Sequence, residues 1–510
     1  MRRWLPSVCR GAGLDGTGVR ESARPLGRRL SGRAALEAAV ALALLAPAGL
    51  AGETAVGGRL ETQEWTRAGS PYRAVADLEV PAGATLTIGP GVDVLFERGV
   101  SVSVRGAIVA DGTELEPVRW LAARAGEPWG GVLFRGATAS ANLEHLEVTG
   151  CSKASVGGTE YPAAINGENG AKLRLRHCWL HELPAGVIDV RERSELVLLD
   201  SLIENSLESV HTVTSYTQIE GCHIRNITGH SDLIDLDYES TPRSVIRNCI
   251  LENSVDDDAI DLQGSSALVE DCVLRGMING KAVSIDLVCK PVLRGLVVYD
   301  SLWGLVVKDK ATATFERCTV TRCDVGIKCY EKNPGAGGGH AVADSMILWG
   351  NRKAVEVDAL SSLSLSYSIV AGGHPGEGNL DADPLFADAG AGDFRPLAGS
   401  PAVGSGKDGG NMGALAPVPG PEGSFVRGDA NRDGAVDVAD AVAVILWLFA
   451  ASVEPPCLDS LDADDSGAID ITDAVHLLRY LFLAGPPPRS PFPEPGLDPT
   501  PEDPYGCAAP

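Results

Sequence analysis

The sequence predicts a mainly β chain, a solenoid of stacked short strands, followed by a small all-α module. Between about residues 75 and 395, short alternating runs rich in β-branched residues recur and helical periodicity is absent. One local context also repeats there. LRHCWL, IEGCHI, IRNCIL, VEDCVL and FERCTV place Cys178, Cys222, Cys249, Cys272 and Cys318 in matching surroundings. Near the C-terminus a different repeat occurs, DANRDGAVDVAD (Asp429 to Asp440) and DADDSGAIDITD (Asp462 to Asp473), offset by 33 residues (462 minus 429). Each copy precedes an apolar run of helical length.

The chain has 510 residues, enough for a large core plus a smaller module, and a formal net charge of -25. Such a charge repels nucleic acid and anionic membrane surfaces and argues against both as partners. Residues 1–51 are the first element in chain order. They hold many arginines, an apolar run from Ala34 to Ala46 too short to span a bilayer, and small residues at Gly49 and Ala51. This pattern predicts a secretory signal cleaved before Gly52, with a twin-arginine route open through Arg28-Arg29, and no membrane span after its removal. The mature chain is then secreted, extracellular or attached to a cell surface.

The solenoid comes next, with its N-terminal capping part over residues 52–140 and its main body over 141–415. The cysteine contexts are spaced by 27 residues (222 to 249), 23 (249 to 272) and 46 (272 to 318), the last being two coils around a cysteine-free turn at Leu296. Ser201, Ser345 and Ser368 are aligned to the same place. A period near 23 means coils whose side chains stack on their counterparts at the strand spacing of about 4.8 Å. Thiols in such a row pack as small buried groups, and Cys318, Cys323 and Cys329 are read in the same way.

This region resembles the right-handed parallel β-helix proteins of the pectate-lyase-like superfamily. The resemblance rests on Trp65 to Phe96 as a first coil, on EPWGGVLF (Glu127 to Phe134), and on a closing segment from Asp383 to Gly406. It implies the fold, and a polysaccharide as partner and substrate, with lyase or glycoside hydrolase activity. The Gly-His-Gly and Arg-x-Lys signatures of polygalacturonases are absent; GGGH at Gly337 to His340 lacks their partners.

Aligning the coils on inward apolar pairs leaves the residues between them outward. LIDLDY then exposes Asp235 and Asp237, AIDLQ Asp261 and Gln263, and AVSID Ser284 and Asp286. Lys308, Lys328 with Tyr330, and Glu356 with Asp358 continue the face, His211 precedes it, and Asp257, Asp258, Lys281 and Asp324 lie at its edge. Two chemistries suit such a face. In β-elimination on a uronate polymer, Lys308, Lys328 and Tyr330 serve as base and acid while Asp261 and Asp286 hold a cation or orient the lysines. In hydrolysis, Asp235, Asp261 and Asp286 supply the carboxyl pair. Ladders of Asp and Lys also stabilise solvent-facing coils without any catalysis, in which case the solenoid is a non-catalytic adhesion or display platform.

A Pro- and Gly-rich linker over residues 416–424 leads to a module over 425–510. Its loops place oxygen ligands at positions 1, 3, 5, 9 and 12, as Asp429, Asn431, Asp433, Asp437, Asp440 and Asp462, Asp464, Ser466, Asp470, Asp473, with Gly434 and Gly467 at the sharp turn. Two Ca2+ ions are expected, one per loop. The helical runs AVAVILWLFAAS and AVHLLRYLFLAG follow, and no helix precedes Gly428 or Leu461, so the module resembles a type I dockerin. That implies docking to a cohesin-type scaffold or cell-surface partner. Val438-Ala439 and Ile471-Thr472 stand where many dockerins carry the Ser-Thr recognition pair, and Cys457 with Cys507, flanking the second repeat, is the best-placed disulfide pair.

Overall fold

Runs of alternating apolar residues only three to six long cannot make a wide sheet, so each segment turns after one short strand and stacks on the segment one coil earlier. Three strands per coil result, as in Tyr216–Glu220, His223–Ile227 and Ile234–Asp237, then Val245–Arg247, Ile250–Ser254 and Ile260–Gln263. The computed structural model describes residues 52–238, 240, 242–418, 424–432, 434–450, 455, 457–493, 495–500, 505 and 507. The expected signal segment, residues 419–423 of the linker and Asp433 lie outside the described residues.

The strands form a parallel solenoid of about 14 turns. One column is a sheet of 13 strands, and two further columns run together as a sheet of 25. The ladder crosses residue 140 unbroken, because Ala107–Asp111 pairs with Ser140–Glu144 and that strand with Lys172–Arg176. Inward residues stack in rows, Ile234, Ile260, Val283, Leu305, Ile327 and Val355 in one, and Leu236, Leu262, Ile285, Val307 and Cys329 beside it. Fully burying each aliphatic side chain contributes about 1.5–3 kcal/mol.

The corner between first and second strands is made by one residue in the left-handed region. His145, His177, Asp200, Gly221, Asn248, Asp271, Gly295, Arg317, Ser345 and Tyr367 occupy it, with φ from 47° to 68°. Next to it lies the cysteine row. Backbone bonds link each member to the coil above, through Cys178, Ser201, Cys222, Cys249, Cys272, Leu296, Cys318 and Met346. Met346, not Ser345, holds the expected serine position. Ser345 takes the corner conformation, and the alignment through it is one residue early because a corner hydroxyl resembles the true rung at Ser201. All nine unbonded cysteines among the described residues are buried, and burial pushes Cys178, Cys318 and Cys329 up to about 12, which makes them inert packing groups.

The closing segment packs outside the second column. Phe394 is fully buried against Tyr299 at 4.9 Å, and Ala402 and Met412 cover Ile347 and Ile369. None of these contacts reaches the outer face of the third column.

Among the described residues the C-terminal module has two helices, α1 (Val438–Ala450) and α2 (Ile471–Leu483). Asp470 caps α2 and Asp473 completes a capping box. Cys457 and Cys507 are joined in a disulfide. Arg427, wholly buried, donates to the carbonyls of Asp462 and Ser490 and pairs with Asp465 at 2.9 Å and Asp498 at 2.7 Å. No helix among the described residues is long and apolar enough to cross a membrane.

Candidate functional site

The third column aligns the outward residues of eight coils in two rows. Register places Asp189, His211, Asp235, Asp261, Ser284, Val306, Lys328 and Glu356 above one another. The second row runs through Arg191, Val213, Asp237, Gln263 and Asp286, and continues from Lys308 to Tyr330. The face expected from the sequence therefore exists, and the Asp, Lys and Tyr side chains share it. Asp358 lies past the end of its strand and accepts N–H bonds from Glu331 and Leu360, and Asp324 is bound to Arg352 at 2.6 Å. These two serve the turns.

Four further residues belong to the face. Asp189 and Arg191 come from GVIDVR, which repeats the LIDLDY pattern one coil before His211 and was legible on that basis. Asp232, in the turn ahead of Asp235, and Trp303, at the start of the Lys308 strand, carry no repeat signal of their own. Asp232 accepts the N–H of Asp258 at 2.9 Å, and Asp258 in turn binds Lys281 at 2.7 Å.

Carboxylates crowd at the middle of the face. Oxygens of Asp232, Asp235 and Asp261 lie within 4.8 Å of one another, as do those of Asp232, Asp257 and Asp258. Burial, reinforced by Asp237 and Asp261 and opposed by His211, raises Asp235 to about 7. Asp261 is raised to about 6, again mainly by burial, with Lys308 pulling it down. Asp232 stands well above the usual carboxylate range through burial and the charges of Asp258 and Asp261. Burial pulls His211 down, yet Asp189 at 3.0 Å together with Asp235 raises it to about 9, so it is an imidazolium at neutral pH. Asp235 Oδ1, Asp261 Oδ1 and Asp286 Oδ1 are buried without a hydrogen-bond partner. Orphaned acceptors on clustered acids are what a hard divalent cation binds, and the residues fit one.

Lys308 lies next to this cluster, only 2% exposed, with its ammonium 2.8 Å from Ser284 Oγ and 3.3 Å from Asp286. Burial pulls its pKa down, but Asp261, Asp286 and Asp258 together outweigh it and hold the ammonium charged. A resting base at Lys308, as elimination was expected to use, is therefore not what these acids maintain while they are ionised. Tyr330 keeps its phenol proton, its pKa raised by burial. Lys328 pairs with Glu356 at 3.0 Å and sits 3.8 Å above the centre of the Trp303 ring.

In the module, Asp462, Asp464 and Asp473 bring oxygens within 4.8 Å of one another. The two loops share one hydrogen-bond plan. Asp429 accepts from Gly434 N–H as Asp462 does from Gly467, and Asp440 accepts from Asn431 and Asp437 as Asp473 does from Asp464 and Asp470. Burial, with the charges of Asp462 and Asp464, raises Asp473 to about 7, and Asp464 Oδ1 is buried without a partner. These donors fit a calcium ion. Asp437 and Asp470 turn to the helix starts, where they accept from Ala439 and Thr472, and the Ser466 hydroxyl donates to the Ala468 carbonyl at 3.3 Å.

No family model and no curated protein matches this chain. Among solved structures it is similar to the pectate lyase Pel9A, at 11% identity and a TM-score of 0.37, over 66% of this chain and 89% of that one. It is also similar to the A-module of the Azotobacter vinelandii mannuronan C-5 epimerase AlgE4, at 12% identity and a TM-score of 0.29, over 65% and 94%.

Proposed function

We propose that the solenoid binds an acidic, uronate-type polysaccharide along the third column and cleaves it by β-elimination. The observation that carries this reading is the gathering, within five successive coils, of a cation-competent acid cluster, a buried lysine and a protonated phenol. Lys308 takes the proton from the carbon next to the carboxylate, Tyr330 gives a proton to the departing glycosidic oxygen, and Asp286 and Ser284 hold the lysine in place. Lys328 and Trp303 offer a charge and an apolar ring to the neighbouring sugar. Asp232, Asp235, Asp257, Asp258 and Asp261 would hold a divalent cation, which would neutralise the uronate carboxylate and two of the three acids, Asp258 and Asp261, that keep Lys308 protonated. With the charges of Asp258 and Asp261 offset, the burial that disfavours the Lys308 ammonium would be opposed chiefly by Asp286, at 3.3 Å.

A second reading, hydrolysis, draws on the Asp235 pKa of about 7, which suits a general acid, beside an ionisable Asp261. One assay separates the two. Incubation with uronate and neutral glycans, with and without Ca2+, is followed by the absorbance of unsaturated chain ends and by the release of reducing sugar. Unsaturated ends that need Ca2+ support elimination. Reducing sugar without unsaturation supports hydrolysis, and silence on all glycans returns the solenoid to a display platform.

The module we read as a calcium-loaded docking unit of an exported protein. Val438, Val442 and Phe449 on α1 and Ile471, Val475 and Phe482 on α2 are exposed, and the pairs differ by the same 33 residues as the loops. Two equivalent apolar stripes suit a protein partner such as a cohesin-type scaffold.

A further inference from the structure

The corner between first and second strands normally uses residues that tolerate the left-handed conformation for their own sake, as Asp200, Gly221, Asn248 and Asp271 do. Two successive coils place histidines there, a residue that this conformation also favours. His145 and His177 stack one coil apart, their ring centres 4.7 Å apart and their planes inclined by 22°. Glu144, the last residue of the strand before His145, joins them, so that one nitrogen from each ring and one carboxylate oxygen lie within 4.8 Å of one another. Both histidines open onto a groove of about 880 Å³, whose walls include Arg119, Glu147, Trp179 and His223. Among the described residues Glu144 pairs with Arg176, at 3.6 Å, a partly exposed pair worth little.

We propose that Glu144, His145 and His177 form a transition-metal site of the zinc class facing this groove. Two imidazoles and a carboxylate are a donor set that prefers Zn2+ over the hard cation suited to the all-oxygen cluster on the third column. The two histidines sit at equivalent corners of adjacent coils, and Zn2+ would bond their nitrogens and the carboxylate at about 2.0–2.2 Å. Three protein ligands leave one position, and the groove gives it access to water or a small ligand.

The test uses the full chain, stripped of transition metals and kept in excess Ca2+ so that the oxygen sites are filled, titrated with Zn2+ by calorimetry. Asparagine is favoured at positive φ and already occupies this corner as Asn248, so the His145→Asn/His177→Asn variant keeps the backbone intact. The expected result is one Zn2+ equivalent, weakened by more than about 100-fold in that variant and kept in His211→Asn. Co2+ bound at the same stoichiometry should show visible absorption that the double variant lacks. No Zn2+ binding by the native chain, unchanged binding by the double variant, or loss of the equivalent in His211→Asn each overturns the proposal.

Discussion

The buried carboxyl of Asp235 makes a quantitative demand on stability. Its pKa rises from 3.8 to about 7 in the folded chain, so the folded state binds this proton more tightly than the unfolded state does. The resulting penalty is negligible below about pH 4, grows as the pH rises towards 7, and is complete above it at about 4 kcal/mol. His211 acts in the same direction. With a folded pKa of about 9 it contributes stability that is full below its ordinary value of 6.5 and is lost as the pH rises through 9. Between pH 5 and pH 8 the Asp235 contribution alone falls by about 2.5 kcal/mol. At about 2 °C per kcal/mol for a chain of this size, that is roughly 5 °C in Tm. The assay is thermal unfolding in EDTA at both pH values, followed through the fluorescence of Trp65, Trp120 and Trp129, all buried in the solenoid. Asp235→Asn removes the titration, so its Tm should fall about 5 °C less than that of the native chain over this range. Equal falls in both proteins would refute the electrostatics assigned to this face.

Lys308→Met keeps the side-chain volume but leaves Asp286 and Asp261 without their buried cation; it should destabilise the solenoid by about 3–5 kcal/mol, measured by denaturant unfolding, and abolish cleavage. Adding Asp286→Asn to that variant should return part of the stability and none of the activity. Chelation should expose residues 425–485 to limited proteolysis while the solenoid resists, since the clustered loop acids repel without an ion. Phe449→Asp with Phe482→Asp, both on exposed positions, should leave the far-ultraviolet circular dichroism unchanged and eliminate binding to a cohesin-bearing scaffold in a pull-down.

Much of this arrangement was legible because a solenoid converts sequence period directly into spatial stacking. Once LIDLDY, AIDLQ and AVSID are set on their inward pairs, Asp235, Asp261 and Ser284 must share a row, and they do. The same logic failed by one residue at VADSMIL, where nothing in the sequence says that Ser345 has turned the corner and that Met346 is the one that stacks. Asp232 and Trp303 were not legible, since turn lengths vary from coil to coil and only the folded chain shows that these residues approach the rows. Spacing did show that nearby acids oppose the depressed lysine pKa that elimination needs, but not that three of them, from different coils, converge on Lys308. In the module the loop spacing named Asp462, Asp464 and Asp473, whose oxygens do approach one another, but not that Asp470 would be used on the start of α2.

The most direct trial of the proposed working face is a crystal structure of the chain with a uronate oligosaccharide and Ca2+. Sugar residues should lie along the third column, with a carboxylate at the Asp232, Asp235 and Asp261 cluster and a ring next to Lys308 and Tyr330. An oligosaccharide seated on another surface, with this column bare at saturating concentration, would contradict it.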